Sequence, residues 1–175
     1  MADYGLLAKQ IVSLAEVDAH CLPVLSNAAA LLWDALDDIN WAGFYLVDPV
    51  TVAGEGAELG VALSAPEPRT PELRLGPFQG KVACVRIPFG RGVCGTAAAT
   101  KTSQLVEDVH QFPGHIACDS ASNSEVVVPI FKDGQVVGVL DIDSPNVARF
   151  TQEDLAGLEQ VVKALESYTN FSAFC

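Results

Sequence analysis

The chain has few basic residues, few charged residues in general and no long apolar run. Among its 175 residues, 10 are Lys or Arg and 22 are Asp or Glu, for a formal net charge of −12. Because nucleic acids and anionic membranes are bound by clustered basic side chains, this balance argues against both as main partners. No apolar stretch is long enough to span a bilayer, and a basic leader with a small-residue cleavage site is lacking. We therefore expect one globular domain over residues 1–175, located in the cytoplasm.

The cysteines indicate where chemistry should be sought. There are five of them, an odd number, so a fully paired disulfide framework is excluded. Cys84, Cys94 and Cys118 lie within a window of 35 residues. In a reducing compartment such thiols are more plausibly redox groups or metal ligands than structural bridges. Cys21, at a helix start, and Cys175, at the end of the chain, are predicted to be peripheral.

Apolar periodicity predicts helices at both ends of the chain and strands between them. The first forty residues contain two helices. Their apolar stripes are Tyr4, Leu7, Ile11 and Leu14 in the first, and Leu22, Leu25, Ala29, Leu32, Leu36 and Ile39 in the second. A further helix follows Thr151, its N-cap, with Asp154 in the reciprocal capping position. The predicted strands are 40–47, 72–76, 81–87, 103–106, 126–131 and 135–142, with a short helix at 93–101. This order predicts an α+β layer, with helices on a mostly antiparallel sheet, and not a doubly wound α/β fold.

One long segment, at about 50–70, has no clean period and is rich in Gly, Pro, Ala and Glu. Loops of this length are uncommon in compact domains and are usually disordered or functional lids. We predict an inserted loop there, and both alternatives stay open.

The hairpin turn at 132–134 decides whether acidic side chains meet. If the loop has three residues, Glu125 lies opposite Asp141, and Asp143 shares that face by the two-residue period. If the loop has two residues, Glu125 pairs with Ile142 on the other face. The first register places three carboxylates at one end of the sheet, where they suit a ligand ammonium group or, as a further alternative, a divalent cation. A solvated strand end is the structural alternative.

Local electrostatics favour Cys94 as the nucleophile. It follows a glycine-rich turn at a predicted helix N-terminus, with Arg91 nearby, and both features lower a thiol pKa. Cys84 lies in an apolar predicted strand and is typical of a core residue, whereas Cys118 lies in a polar loop. Zinc binding by these three with His115 is unconvincing, because the cysteine spacings of nine and 23 intervening residues match no close-paired pattern. We predict no metal site.

Long motifs around these residues resemble the free methionine-(R)-sulfoxide reductases, which are stand-alone GAF-domain enzymes. The motifs are NWAGFYL, LRLGPFQGKVACVRIPFGRGVCGTAAAT, EDVHQFPGHIACDSASNSEVVVPI and VVGVLDIDSPNVARFTQEDLAGLE. They cover nearly all of the chain except about 50–70. The resemblance implies a GAF fold, with a six-stranded antiparallel sheet and helices packed on it.

The resemblance also implies a reaction, the thioredoxin-dependent reduction of free L-methionine (R)-sulfoxide in the response to oxidative stress, with no bound cofactor. Cys118 would attack the sulfoxide sulfur and become a sulfenic acid. Cys84 would resolve it as a disulfide, with Cys94 as an alternative partner, which overrules the electrostatic preference for Cys94. A homodimer is possible. The rival classes are a GAF domain that only senses a ligand, and a general thiol redox or zinc-binding protein.

In the same resemblance, Glu125, Asp141 and Asp143 would bind the substrate and its sulfoxide oxygen, which favours the three-residue hairpin loop. A sulfoxide needs protonation at oxygen before its sulfur is attacked, so a carboxyl that like-charged neighbours keep partly protonated is a suitable general acid. Trp41 and Phe44 are candidates to enclose the methyl-thioether end, although either can equally be a core residue.

Overall fold

The computed structural model describes residues 2–48, 70–114 and 120–171. The helices among them are Tyr4–Val17 (α1), Cys21–Ala35 (α2), Gly92–Thr100 (α3) and Gln152–Tyr168 (α4). The strands are Trp41–Val47 (β1), Glu72–Gly80 (β2), Arg86–Pro88 (β3), Gln104–Val106 (β4), Ser124–Lys132 (β5) and Gln135–Ser144 (β6). The predicted insertion at about 50–70 lies, except for Thr70, outside the described residues.

The six strands form one antiparallel sheet in the order β3-β2-β1-β6-β5-β4. Because strand side chains alternate, neighbouring residues of one strand face opposite sides. Phe44 and Val126 pack into a core with α1, α2 and α4, whereas Tyr45 and Val127 pack into a second cluster with α3. Both faces of the sheet are therefore covered, and the predicted α+β fold with six antiparallel strands is confirmed.

The first and last helices are joined by a buried hydrogen bond. Tyr4 donates its hydroxyl proton to Asp154 Oδ1 at 2.6 Å. Asp154 also completes the predicted capping box, in which the Thr151 hydroxyl accepts from the Asp154 amide and the Asp154 carboxylate accepts from the Thr151 amide. The predicted N-cap of α4 is thus confirmed. In the described part of the chain, none of the helices combines the length and apolar character that crossing a bilayer requires.

The predicted apolar stripes of α1 and α2 are largely confirmed, since residues such as Ile11 and Leu25 are buried, but each helix exposes one leucine that was predicted to be buried. Leu14 and Leu22 are 37% and 55% exposed, and Ala15 and Cys21 are buried beside them. Small side chains let these helices approach the core closely, and the neighbouring leucines then point outward. Cys21 is buried and disulfide-bonded, so the prediction that it is peripheral was wrong.

The β5–β6 hairpin has a two-residue turn, not the favoured three-residue loop. Lys132 pairs with Gln135, and Asp133 and Gly134 have φ of 50° and 75°. Positive φ at both central residues is the geometry of a type I′ turn, which matches the twist of the flanking strands.

A bulge next to this turn then changes the register. The pairing shifts between Ile130 and Phe131, and beyond the shift Glu125 lies opposite Asp143. Neither predicted pairing of Glu125, with Asp141 or with Ile142, is therefore correct. Because an extra bulged residue moves every later side chain to the other face, Glu125 returns to the face of the two aspartates.

Strand β2 runs without a break from Glu72 to Gly80, where the sequence predicted a strand end at Gly76. Only Glu72, Leu73 and Arg74 pair with β3. Pro77 lies beyond this pairing, so its lack of an amide proton costs no hydrogen bond to β3. The chain then continues through 81–85 outside any strand. The prediction that Cys84 belongs to a strand was therefore wrong, and it lies in the loop before β3.

Candidate active site

Three buried functional groups meet on the α3 side of the sheet. Cys94 lies in the first turn of α3, Glu125 on β5 and Asp141 on β6. They are 4%, 6% and 5% exposed. The Cys94 thiol donates to Glu125 Oε1 over 3.9 Å, and one polar atom from each of the three residues lies within 4.8 Å of the others. We call these three residues the thiol–carboxylate cluster, and its existence confirms that the acidic groups converge.

Burial dominates the protonation of the cluster. It raises the pKa of the Cys94 thiol well above its usual range, and the charges of Asp141 and Glu125 add to that effect. Burial, Asp141 and Asp143 likewise raise the pKa of Glu125 well above its usual range. Burial raises the pKa of Asp141 to about 6, although the neighbouring Cys94 and Glu125 side chains act in the opposite direction. At neutral pH the cluster therefore retains protons.

This result corrects the prediction that Cys94 is an activated nucleophile. The thiol does lie at a helix N-terminus, as predicted, but it is buried beside two carboxyl groups. Helix dipoles contribute a modest stabilisation of a thiolate, whereas desolvation and like charge both oppose it. Cys94 is accordingly a protonated, hydrogen-bond-donating thiol.

Asp143 extends the acidic face toward the end of the sheet. It is half-buried, lies opposite Glu125 on β5 and lies opposite Trp41 on β1. Asp141 lies opposite Gly43, one pleat further along the same face. The three predicted carboxylates therefore do come together, and Trp41 borders them.

Aromatic rings form a wall beside the carboxylates. The Trp41 ring stacks on Tyr45 at 5.7 Å and on Phe78 at 5.3 Å between centroids, and its indole Nε1 donates to the carbonyl oxygen of Lys81 at 3.2 Å. Gly43 makes this stack possible, because a Cβ there would lie 2.8 Å from the Trp41 ring and closer still to Phe78. Trp41 thus lies on the face of the sheet that carries the carboxylates.

The second aromatic candidate, Phe44, does not belong to this wall. It is buried in the core beneath α1, α2 and α4, on the opposite face. Tyr45 belongs to the wall instead, although it was not among the predicted site residues. Burial and the charge of Asp141 raise the pKa of its phenol. The signal was available, since Trp41 and Tyr45 are separated by two strand periods and so share a face.

The cysteines are in different states. Cys84 is half-buried on the α3 side and is disulfide-bonded, as is Cys21 on the opposite side of the sheet. Cys94 is a free thiol. Cys118, the predicted nucleophile, lies outside the described residues, as do His115 and Cys175. His110 is exposed, and its Nε2 lies 2.9 Å from Asn123 Oδ1.

This arrangement defines a class of protein. A carboxyl group that burial keeps protonated, here Glu125, can hold a small polar molecule beside an aromatic wall and supply it with a proton. The sheet order and the placement of helices on both its faces are those of a GAF domain, and the sequence model of the GAF domain family matches residues 30–167.

Relatives narrow the assignment. A free methionine-R-sulfoxide reductase of Escherichia coli is 49% identical over 163 residues, which is 93% of this chain and 86% of that protein. One of Saccharomyces cerevisiae is 49% identical over 146 residues, or 81% and 71% of the two chains. The crystal structure of the Neisseria meningitidis free methionine-R-sulfoxide reductase with its substrate superimposes with a TM-score of 0.81 at 41% identity, covering 97% and 89%. The chain belongs to this family of GAF-domain oxidoreductases.

Proposed function

We propose that the chain reduces free L-methionine (R)-sulfoxide to L-methionine in the cytoplasm, with Cys118 as the nucleophile and thioredoxin as the reductant. The observation that carries the proposal is the buried pair of carboxyl groups of Glu125 and Asp141 next to the Trp41 wall, with the pKa of Glu125 held well above its usual range by burial and like charge. It provides the proton that sulfoxide oxygen needs and an apolar surface for the methylthio group.

The reaction balances in three steps. The Cys118 thiolate attacks the sulfoxide sulfur while a cluster carboxyl protonates the oxygen, and oxygen transfer yields methionine and a Cys118 sulfenic acid. The Cys84 thiol condenses with the sulfenic acid, which releases water and forms a disulfide. The dithiol of thioredoxin then reduces that disulfide by exchange and is itself oxidised. The sum is one sulfoxide reduced, one thioredoxin oxidised and one water formed.

The state of Cys84 supports its role as the resolving thiol. Cys84 is disulfide-bonded while Cys94 is free, and Cys21 lies on the other face of the sheet. Of the remaining cysteines, Cys118 belongs to the segment that follows Gly114, whose carbonyl accepts from the Gly92 amide at the start of α3 on the site side. We therefore assign the partner of Cys84 as Cys118, with Cys94 as the alternative resolving thiol.

Recognition of the free amino acid follows from charge. Glu125, Asp141 and Asp143 offer acidic groups to the substrate ammonium, which a methionine sulfoxide within a peptide lacks. Binding that cation also offsets the mutual repulsion of the carboxylates. Trp41 and Tyr45 lie on the same face as these groups, and we assign them as the apolar surface for the methylthio end.

A coupled assay tests the proposal. NADPH consumption with thioredoxin and thioredoxin reductase is followed with free (R)-, free (S)- and peptide-bound methionine sulfoxide. Only the free (R) isomer should be turned over. Cys118→Ser should abolish turnover, while Cys94→Ser, a matched serine control, should retain it as long as Cys84 is present. Equal rates on peptide-bound substrate, or full activity of Cys118→Ser, would contradict the proposal.

A further inference from the structure

The thiol–carboxylate cluster contains the atom types of a metal site. Cys94, Glu125 and Asp141 offer a sulfur and two kinds of carboxylate oxygen, all within 4.8 Å of one another. Thiolate combined with carboxylate is a ligand set that zinc accepts, whereas calcium and magnesium require oxygen ligands. The chemistry of the cluster therefore points to a thiophilic divalent ion.

The spacing of these atoms is close to that of a tetrahedral zinc centre. Bond lengths of about 2.3 Å to sulfur and about 2.0–2.2 Å to oxygen place two such ligands about 3.6 Å apart. Cys94 Sγ lies 3.9 Å from Glu125 Oε1, so a small side-chain rotation closes the difference. The ligands come from α3, β5 and β6 and are all buried, so the surrounding fold holds them in place.

One atom of the cluster is an unsatisfied acceptor. Asp141 is 5% exposed, and its Oδ1 is buried with no hydrogen-bond partner in the described part of the chain. Buried polar atoms are nearly always paired, and an exception calls for a water, an ion or a functional reason. A cation between Asp141 and Cys94 would supply the missing partner.

We propose that the cluster binds one Zn²⁺ through Cys94 Sγ, a Glu125 oxygen and an Asp141 oxygen, with the fourth position left to water or an external ligand. Binding releases the thiol proton and any carboxyl protons and transfers no electrons, so the affinity increases with pH. The metal charge also compensates the negative charge that the three ligands acquire. The proposed function places the substrate at the same carboxylates. If that function holds, zinc should inhibit the reductase.

The direct test uses substrate-free protein without reductant, so that Cys84 stays in its disulfide. Equilibrium dialysis against Zn²⁺ should give one zinc per chain. Cys94→Ser and Glu125→Gln should each weaken binding by at least the ~10–100-fold that loss of an outer-shell partner causes. Glu107→Gln, which removes an exposed carboxylate, is the control and should bind as the wild type. Unchanged affinity in both cluster variants would overturn the proposal.

A second measurement needs no variant and therefore does not depend on variant folding. Co²⁺ bound to the wild-type protein should give a thiolate-to-cobalt charge-transfer band in the near ultraviolet, and added Zn²⁺ should remove it. A cobalt complex without that band would exclude Cys94 as a ligand and with it the proposed site.

The metal site and the proposed function can fail separately. The double variant Cys84→Ser/Cys118→Ser, in which Cys84 cannot become a second free thiol beside Cys94, should lose turnover yet keep its zinc affinity. An active wild-type enzyme that binds no zinc would overturn the metal site alone. Zinc binding that free methionine sulfoxide does not weaken would leave the metal site standing and would contradict the shared substrate position and the inhibition.

Discussion

The Cys94 thiol donates to Glu125 across the contact between α3 and β5, over 3.9 Å from sulfur to oxygen. Both groups keep their protons, because burial disfavours the charged form of each. Their contact explains why a cysteine at a helix N-terminus is not activated here. It also sets the properties that the following predictions measure.

Cys94 should alkylate slowly in the native protein. Its thiol is 4% exposed and its pKa is raised by burial and by Asp141, so little thiolate is present and little of it is accessible. Cys84, half-buried in a loop, should react faster with iodoacetamide after mild reduction, by ~10-fold or more. Mass spectrometry of time points gives both rates. The rates should become equal in urea, and equal rates in the native protein would contradict the prediction.

Asp141→Asn should change how stability depends on pH. Burial raises the pKa of Asp141 from 3.8 to about 6, so the folded state binds this proton more tightly than the unfolded chain does. The associated stability is fully present below about pH 4 and is lost as the pH rises through about 6. The variant lacks that loss, so its unfolding free energy relative to the wild type should rise by ~1–3 kcal/mol between about pH 4 and about pH 8. Urea unfolding across this range measures it.

Asp154→Asn is the control with the opposite sign. Burial acts to raise the pKa of Asp154, but hydrogen bonds from Tyr4 and Thr151 outweigh it and lower that pKa. Stability from a lowered pKa is present above the ordinary value and is lost on acidification. The destabilisation by Asp154→Asn should therefore shrink as the pH falls. Parallel pH profiles for the two variants would contradict both assignments.

The hairpin shows what local sequence can and cannot determine. The Asp133-Gly134 pair identifies the turn, because positive φ is inexpensive for glycine and tolerated by aspartate. The bulge beside Phe131 is not visible in the sequence, since it depends on how two strands pack against both cores. The family resemblance therefore predicted correctly that Glu125 lies on the same face of the sheet as Asp141 and Asp143. The strand register predicted with it, which paired Glu125 with Asp141, was wrong.

The protonation of Cys94 could not be predicted for a similar reason. The sequence shows that it begins a helix, which favours a thiolate. Its proximity to Glu125 and Asp141 is a contact between α3 and two strands far away in the chain, and burial there reverses the sign. Tyr45, by contrast, was predictable from Trp41 by strand period alone. At this site, features set by local sequence spacing could be predicted, whereas contacts between residues far apart in the chain could not.

Gly43→Ala should impair turnover through the aromatic wall. An added Cβ would lie 2.8 Å from the Trp41 ring and equally close to the Phe78 Cα. The Trp41 ring and the backbone of β2 at Phe78 must therefore shift, on the face that carries Asp141 and Asp143. Displacement of this size in a substrate-positioning group lowers kcat/KM by ~10–100-fold. Steady-state kinetics with free methionine sulfoxide measures it. Gly5→Ala, in α1, is the matched control and should keep the wild-type value, because the nearest atom to the added methyl group, Asp3 Oδ1, lies 3.4 Å away on an exposed side chain.

Tyr4→Phe should destabilise the fold without affecting the reaction. The Tyr4 hydroxyl donates at 2.6 Å to Asp154, which is 150 residues away in sequence, and both groups are buried. Loss of a hydrogen bond to a charged acceptor costs about 1.5–3 kcal/mol, which should lower Tm measurably. Tyr168→Phe, which alters an exposed hydroxyl on α4, should leave Tm unchanged. Because Tyr4 packs on the face of the sheet opposite the cluster, kcat/KM below Tm should stay at the wild-type value. A variant with unaltered Tm would show that this hydrogen bond contributes nothing to holding α1 and α4 together.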